Sequence, residues 1–144
     1  MTILEKKQLE YQQYLENSES NGLCFGSSLM RGQIRLENEL CFYLEHEFES
    51  GGMIIPKTLR ETVFDLTQDE WNASFSLLQK AKALLEEELN PDGWNVGWNV
   101  LPVGGQHVPI AHLHIIPRFA DEPFAGRGIR WWIKQKENSR LEKQ

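Results

Sequence analysis

The stretch GGQHVPIAHLHIIPRF, residues 104–119, places three of the chain's four histidines within eight residues. From Ile110 to Pro117 it reads as a strand, in which alternate side chains share a face. Ile110, His112 and His114 then point one way, and Ala111, Leu113 and Ile115 the other. The face of Leu113 suits a core, which leaves the histidines toward a cleft. An imidazole, with an ordinary pKa near ~6.5, serves at neutral pH as nucleophile, acid, base or metal ligand. Spacing alone does not choose among these, and an H-x-H pair on a strand also occurs as a purely structural pair. Ahead of the strand, Gly104-Gly105 permits a tight turn whose N–H groups converge on an anion. Gln106, with Asn99 upstream, offers amide donors without a fixed charge, a combination suited to a phosphate oxygen gaining charge during displacement.

Outward from this segment the chain alternates short strands with two helices. Trp94 to Val100 reads as the preceding strand, joined to it by the loop Leu101 to Pro109. Further upstream, Thr67 and Glu70 form a T-x-x-E capping box, and Leu66 and Trp71 are spaced for a hydrophobic staple, so a helix starts at Thr67. Trp71, Phe75, Leu78, Leu85 and Leu89 recur along it as the stripe expected to cover one face of the sheet, until Asn90-Pro91-Asp92-Gly93 stops it. Gln33 to Leu36, Glu39 to Glu45 and Met53 to Pro56 read as a meander, with Gly51-Gly52 turning the chain into its third strand. A helix over residues 2–16, with Leu4, Tyr11 and Leu15 on one side, opens the chain. The tail from Phe119 is loop-rich, with a short helix expected at Ile129 to Lys136. One domain over residues 1–144 follows: an N-terminal helix over 1–22, a core over 23–118 and a tail over 119–144.

The composition narrows the classes of function. At 40% hydrophobic and 25% charged residues, the chain is globular, and it has no run of the roughly 18 apolar residues a membrane span needs. Its first residues carry Glu, Lys and Gln where a signal peptide needs an apolar stretch. Cys24 and Cys41 are too far apart for a C-x-x-C clip and too few for a disulfide framework. A soluble protein of the reducing cytoplasm is expected, with no membrane partner. The net charge of −6 speaks against nucleic acid as a partner, because such binding neutralises many phosphates with Lys and Arg. A small phosphate ligand held by a few local groups fits.

Taken together, these segments resemble the histidine-triad (HIT) family, whose signature is H-φ-H-φ-H-φ-φ preceded by Gly-Gln. Gly105-Gln106, His112-Leu113-His114-Ile115-Ile116 and Pro117-Arg118 match it. SGGMIIPK at 50–57 looks like the family's strand ending in I-P-K, FDLT at 64–67 like its helix start, and GWNVGWN at 93–99 like its substrate strand. The resemblance covers Cys24 to Phe119. It implies an α+β, HIT-like fold with an antiparallel sheet of about five strands packed with helices, and a homodimer. It also implies a hydrolase or nucleotidyl transferase working through a nucleotidyl-histidine intermediate, on a nucleoside phosphoramidate or dinucleoside polyphosphate.

By the same resemblance His112 is the nucleophile and His114 contacts phosphoryl oxygens. Asn99, Gly105 and Gln106 surround the phosphate, and Glu45 is a candidate acceptor for ribose hydroxyls. His107 stands where the family commonly has Ser or Thr, which makes it a candidate general acid. By their charge alone, Arg118, Arg127, Arg130 and Lys134 are candidates to steer polyphosphate toward the cleft, with Lys134 read as part of a solvated face. Trp131 or Trp132 is a candidate cross-subunit contributor, since the family's tail often reaches toward the partner's site. Three departures stand out: Ile110 occupies the first triad position, Gly51 falls near a histidine often found in the earlier strand, and the zinc half-site C-x-x-C is reduced to Cys24. No structural metal is expected and no cofactor is required, although Mg²⁺ can accompany the substrate. Ile110 and Gly51 motivate the rival reading, a non-catalytic nucleotide-binding module with a degenerate triad. A metal-binding protein using His107, His112 and His114 is the third reading, and it lacks a carboxylate or Cys at ligand spacing.

Overall fold

Strand β3 (Gly52–Pro56) is buried at every residue, because both its edges are paired and both its faces covered. It lies between β2 (Cys41–Glu45) and β5 (Leu113–Arg118), with β1 (Ile34–Glu37) beyond β2 and β4 (Gly93–Trp98) beyond β5. All four pairings are antiparallel, giving one five-stranded sheet of order β1-β2-β3-β5-β4. The structure is a computed structural model that describes residues 1–21, 34–47 and 49–140. Cys24 and the expected strand start at Gln33 lie outside the described residues. Cys41 is a buried free thiol.

Helix α2 (Gln68–Leu89) covers one face of the sheet. Its start is the expected one: the Thr67 hydroxyl accepts from the Glu70 N–H, and the Glu70 carboxylate accepts from the Thr67 N–H, satisfying two N–H groups the helix leaves over. The buried face is Glu70, Ser74, Leu77, Ala81 and Leu85; of the expected stripe Leu85 is buried and Leu78 packs against the core, whereas Leu89 is exposed. Trp71 and Phe75 are 48% and 56% exposed. Over its first turns, from Glu70 to Leu77, the burial is turned by about one residue, or ~100°, from the apolar periodicity, and by Leu85 the two coincide. Two contacts account for the turn: buried Glu70 pairs with Arg60 at 2.9 Å, and Trp71 leans outward to stack on Trp98 with centroids 6.2 Å apart. Beneath α2, Cys41, Tyr43, Ile54, Leu113 and Ile115 meet Leu77, Ala81 and Leu85 in the main core.

The opposite face is divided. Its β2–β3 half, Leu44, Met53 and Ile55, is closed by Val108 and Ile110, with Tyr14 and Phe42 packed alongside. Tyr14 belongs to helix α1 (Ile3–Asn21), longer than the 2–16 expected, which is tied down by Tyr11 donating to Glu61 at 2.6 Å and Lys7 donating to the Gly105 carbonyl at 3.1 Å. The β5–β4 half, presenting His114, Ile116 and Arg118 opposite Gly97, Asn95 and Gly93, stays open. A tail over 119–140 runs beside it as successive turns with one 3₁₀ turn at Lys136–Asn138; the short helix expected at Ile129 to Lys136 does not form.

Candidate active site

The segment that carries the histidines is built differently from the continuous strand expected. β5 starts at Leu113, and residues before it are hooked onto the 60–61 segment. The Ala111 N–H donates to the Arg60 carbonyl at 2.7 Å, and Gln106 Nε2 donates to the Glu61 carbonyl at 2.6 Å. Pro109 has no N–H to give a ladder, so Val108 and Ile110 turn into the apolar cluster instead, Ile110 being 1% exposed. Ile110 is therefore not part of a strand face shared with the histidines. Its backbone has the functional contact: the Ile110 carbonyl lies 2.7 Å from His112 Nδ1. A carbonyl only accepts, so Nδ1 carries the proton and Nε2 keeps a lone pair.

His112 is buried, and burial, with the neighbouring His46, His107 and Lys7 adding to it, holds its pKa below the ordinary histidine value despite the bond to Ile110. The imidazole is neutral at pH 7. His114 stands edge-on to it, ring centroids 4.7 Å apart. Burial first, then His112 and His46, push His114 down to about 4. Its Nε2 is buried without a hydrogen-bond partner among the described residues.

His114 and Asn99 line one open cavity of about 880 Å³, floored by Asn95, Gly97 and Ile116 of β4 and β5 and walled by Phe124, Arg127, Ile129 and Trp132 of the tail. Trp132 reaches the cavity of its own chain. Arg127 is held over the rings of Phe124 and Trp131 at 4.3 and 4.4 Å. Arg118 anchors the wall by donating to Asn95, Glu122 and the carbonyls of Phe124 and Arg127, so its guanidinium is committed to structure rather than to steering ligands.

Other expected site residues sit elsewhere. Gln106 is fully buried, with Oε1 accepting from the Leu101 N–H at 2.7 Å and Nε2 donating to Glu61 and Val108 carbonyls. Its amide staples the turn that Leu101 enters at φ +63° and has no hydrogen left for a phosphate. The N–H groups of Gly104, Gly105 and Gln106 are likewise spent on Leu101 and Pro102 carbonyls. Gly105, at φ +100°, packs against Asn99, whose side chain lies 3.5 Å from where a Cβ would be. Glu45 falls on the α2 side of β2, opposite to His114, where it accepts from Arg35 at 2.6 Å; Arg35 also holds Glu88 of α2. His107 is half exposed and faces α1, with Nδ1 3.2 Å from Glu10. Among the described residues no three His, Cys, Asp or Glu side chains converge to hold a metal ion, and no helix is long and apolar enough to cross a membrane.

One group was missed in the sequence. His46, just past β2, stacks on His114 at 6.0 Å and 22°, with Glu49 of the cavity rim 3.9 Å from its Nδ1. Alternation sets it on the face of Leu44, which is also the face of His114, and the pairings of Glu45 with Gly52 and of Gly52 with Ile115 bring it within reach of that ring.

The sheet order, the helix on one face and the paired histidines at the head of β5 define a histidine-triad architecture. The HIT domain matches residues 36–121, and the chain belongs to the HIT family. It is 27% identical over 135 residues to an uncharacterized 16.1 kDa HIT-like protein of Mycoplasma pneumoniae, covering 88% of this chain and 90% of that one. It is 32% identical over 98 residues to the bis(5'-adenosyl)-triphosphatase of Dictyostelium discoideum, 65% of this chain and 66% of that protein. Among solved structures, a HIT family protein from Bacillus anthracis superposes with a TM-score of 0.59 at 28% identity, covering 62% of this chain and 66% of that one.

Proposed function

We propose that this protein hydrolyses or transfers a nucleotidyl group through a nucleotidyl-His112 intermediate, on a nucleoside phosphoramidate or a dinucleoside polyphosphate. The observation that carries the reading is the 2.7 Å contact of His112 Nδ1 with the Ile110 carbonyl, which fixes the tautomer with a free Nε2 on a neutral ring. The Nε2–P bond forms as the bond from phosphorus to the leaving group breaks, and the departing amine or phosphate takes up a proton. Water then attacks phosphorus, losing its proton to solvent or to the released imidazole, and the Nε2–P bond breaks. His114 and Asn99 attend the phosphoryl oxygens. His107 is the proposed proton donor to the leaving group, by a swing away from Glu10. No step uses a metal, and Mg²⁺ enters only with a polyphosphate substrate.

Chelator-treated protein should turn over adenosine 5'-phosphoramidate or a diadenosine polyphosphate, and mass spectrometry of the quenched reaction should place the adduct on His112. His112→Ala should keep its fold and lose turnover by several orders of magnitude. An adduct on another residue, or turnover unchanged in the variant, would end the assignment. The rival, a binding module without turnover, draws on Ile110 sealed into the core and Gln106 spent internally; nucleotide binding by an inactive wild type would establish it. A homodimer is part of the reading: β4 is an edge strand, and Phe64, Trp71 and Trp98 line an apolar groove beside it that a second copy covers.

A further inference from the structure

Nothing polar holds the ring of His114 at its Nε2, which is buried without a partner among the described residues. The torsion that turns an imidazole is broad, so its orientation has to come from packing. Two rings supply it. The ring of His112 stands edge-on with its centroid 4.7 Å away at 71°, and the ring of His46 stacks with its centroid 6.0 Å away at 22°. His46 is itself fixed: its N–H donates to the Gly51 carbonyl at 3.0 Å, closing the β2–β3 connection, and its side chain is 16% exposed. Along the histidine strand the position two before His112 is Ile110, which faces the apolar cluster.

We propose that His46 is a positioning residue for His114, so that the third imidazole of this site comes from the β2–β3 connection rather than from the histidine segment itself. His46 acts through His114 and not on the substrate. The kinetic consequence rests on the phosphoryl-transfer reading above, whereas the packing consequence stands without it.

The test compares His46→Ala with His46→Phe, which keeps a ring without its nitrogens, after melting curves confirm that both fold. In turnover of adenosine 5'-phosphoramidate, His46→Ala should lower kcat about tenfold or more with KM within about twofold, because a misaimed contact to the transferring group is lost mainly in the transition state. His46→Phe should recover most of that loss. Nuclear magnetic resonance of protein with ¹⁵N-labelled histidine gives the readout independent of activity. His114 should show one sharp ring system with cross-relaxation to the ring at 46 in the wild type and in His46→Phe, and an averaged or doubled one in His46→Ala. An unchanged His114 spectrum in His46→Ala overturns the proposal, and so do equal kinetic losses in the two variants, which would assign the effect to the imidazole nitrogens. A wild type inactive on nucleotides, with the spectral contrast intact, would remove the proposed function and leave the positioning role standing.

Discussion

Positions 51 and 110 lack histidines for different physical reasons. Gly51 sits at φ +93°, and a Cβ there would overlap the Ile115 carbonyl oxygen and come within 2.8 Å of Pro117 Cδ; no side chain fits that backbone. Ile110 is replaceable in shape but not in environment, since Leu44, Met53, Ile55 and Val108 surround it. Ile110→His should therefore cost about 1 to 3 kcal/mol, as a polar group buried without partners does, and raise turnover little. Melting temperature and turnover of the two proteins, measured side by side, check this; a clear gain of activity over an inactive parent would favour the lapsed-enzyme reading. The remaining pair sets a pH dependence. His112 and His114 are both held below the unfolded value near 6.5, His114 at about 4, so the unfolded chain takes up protons first. Stability is fully present above pH 6.5, falls as pH drops from there toward 4, and levels off at His114 below that. Its share is on the order of 3 kcal/mol at most. Denaturant titrations across this range should show the slope, and His114→Asn should flatten it; an equal slope in the variant would contradict the burial argument.

What the elements share is that local chemistry places them and distant chemistry aims them. The T-x-x-E box, Gly51-Gly52, Pro56 and the stop at Asn90 act over a few residues, and the helix and strands lie close to where these signals put them. The rotation of α2 does not follow from its own periodicity, because Trp71 is drawn to Trp98 and Glu70 to Arg60, partners the helix sequence does not contain. Gln106 reads as a ligand donor in sequence because its customers, the carbonyls of Glu61 and Val108 and the N–H of Leu101, appear only when the 101–111 loop folds back. Glu45 was misread for a simpler reason: one residue along a strand exchanges the faces, and it shares the side of Tyr43. The β4 floor of the cavity offers an element-level test. A Cβ at Gly97 would meet only Ile129 Cδ1, at 4.0 Å, so Gly97→Leu should fold normally while filling the space between His114 and the tail. It should lower kcat/KM for a diadenosine polyphosphate about tenfold and leave the phosphoramidate, whose leaving group is small, nearly unchanged. Equal losses on both would mean that the cavity holds the transferred nucleotide rather than the leaving group.

At the scale of the whole molecule the sheet is asymmetric in function: α2 covers one face, α1 and the 108–110 loop close half of the other, and what remains is the open half on which His114 stands. The tail that walls this half contains no buried residue from Ala120 to Arg140. Beyond its own turns it is fastened near its root, by the donations of Arg118 to Asn95, Glu122, Phe124 and Arg127 and by Asp92 accepting from the Ala120 N–H. A segment with so little burial and so few attachments opens at a free energy well below that of global unfolding. Its amides should thus trade hydrogen for deuterium long before those of β3 and β5, at a rate that denaturant barely changes. The wall bearing Ile129 and Trp132 should then open without the sheet beneath it, released when the bonds of Arg118 and of Asp92 at its root give way.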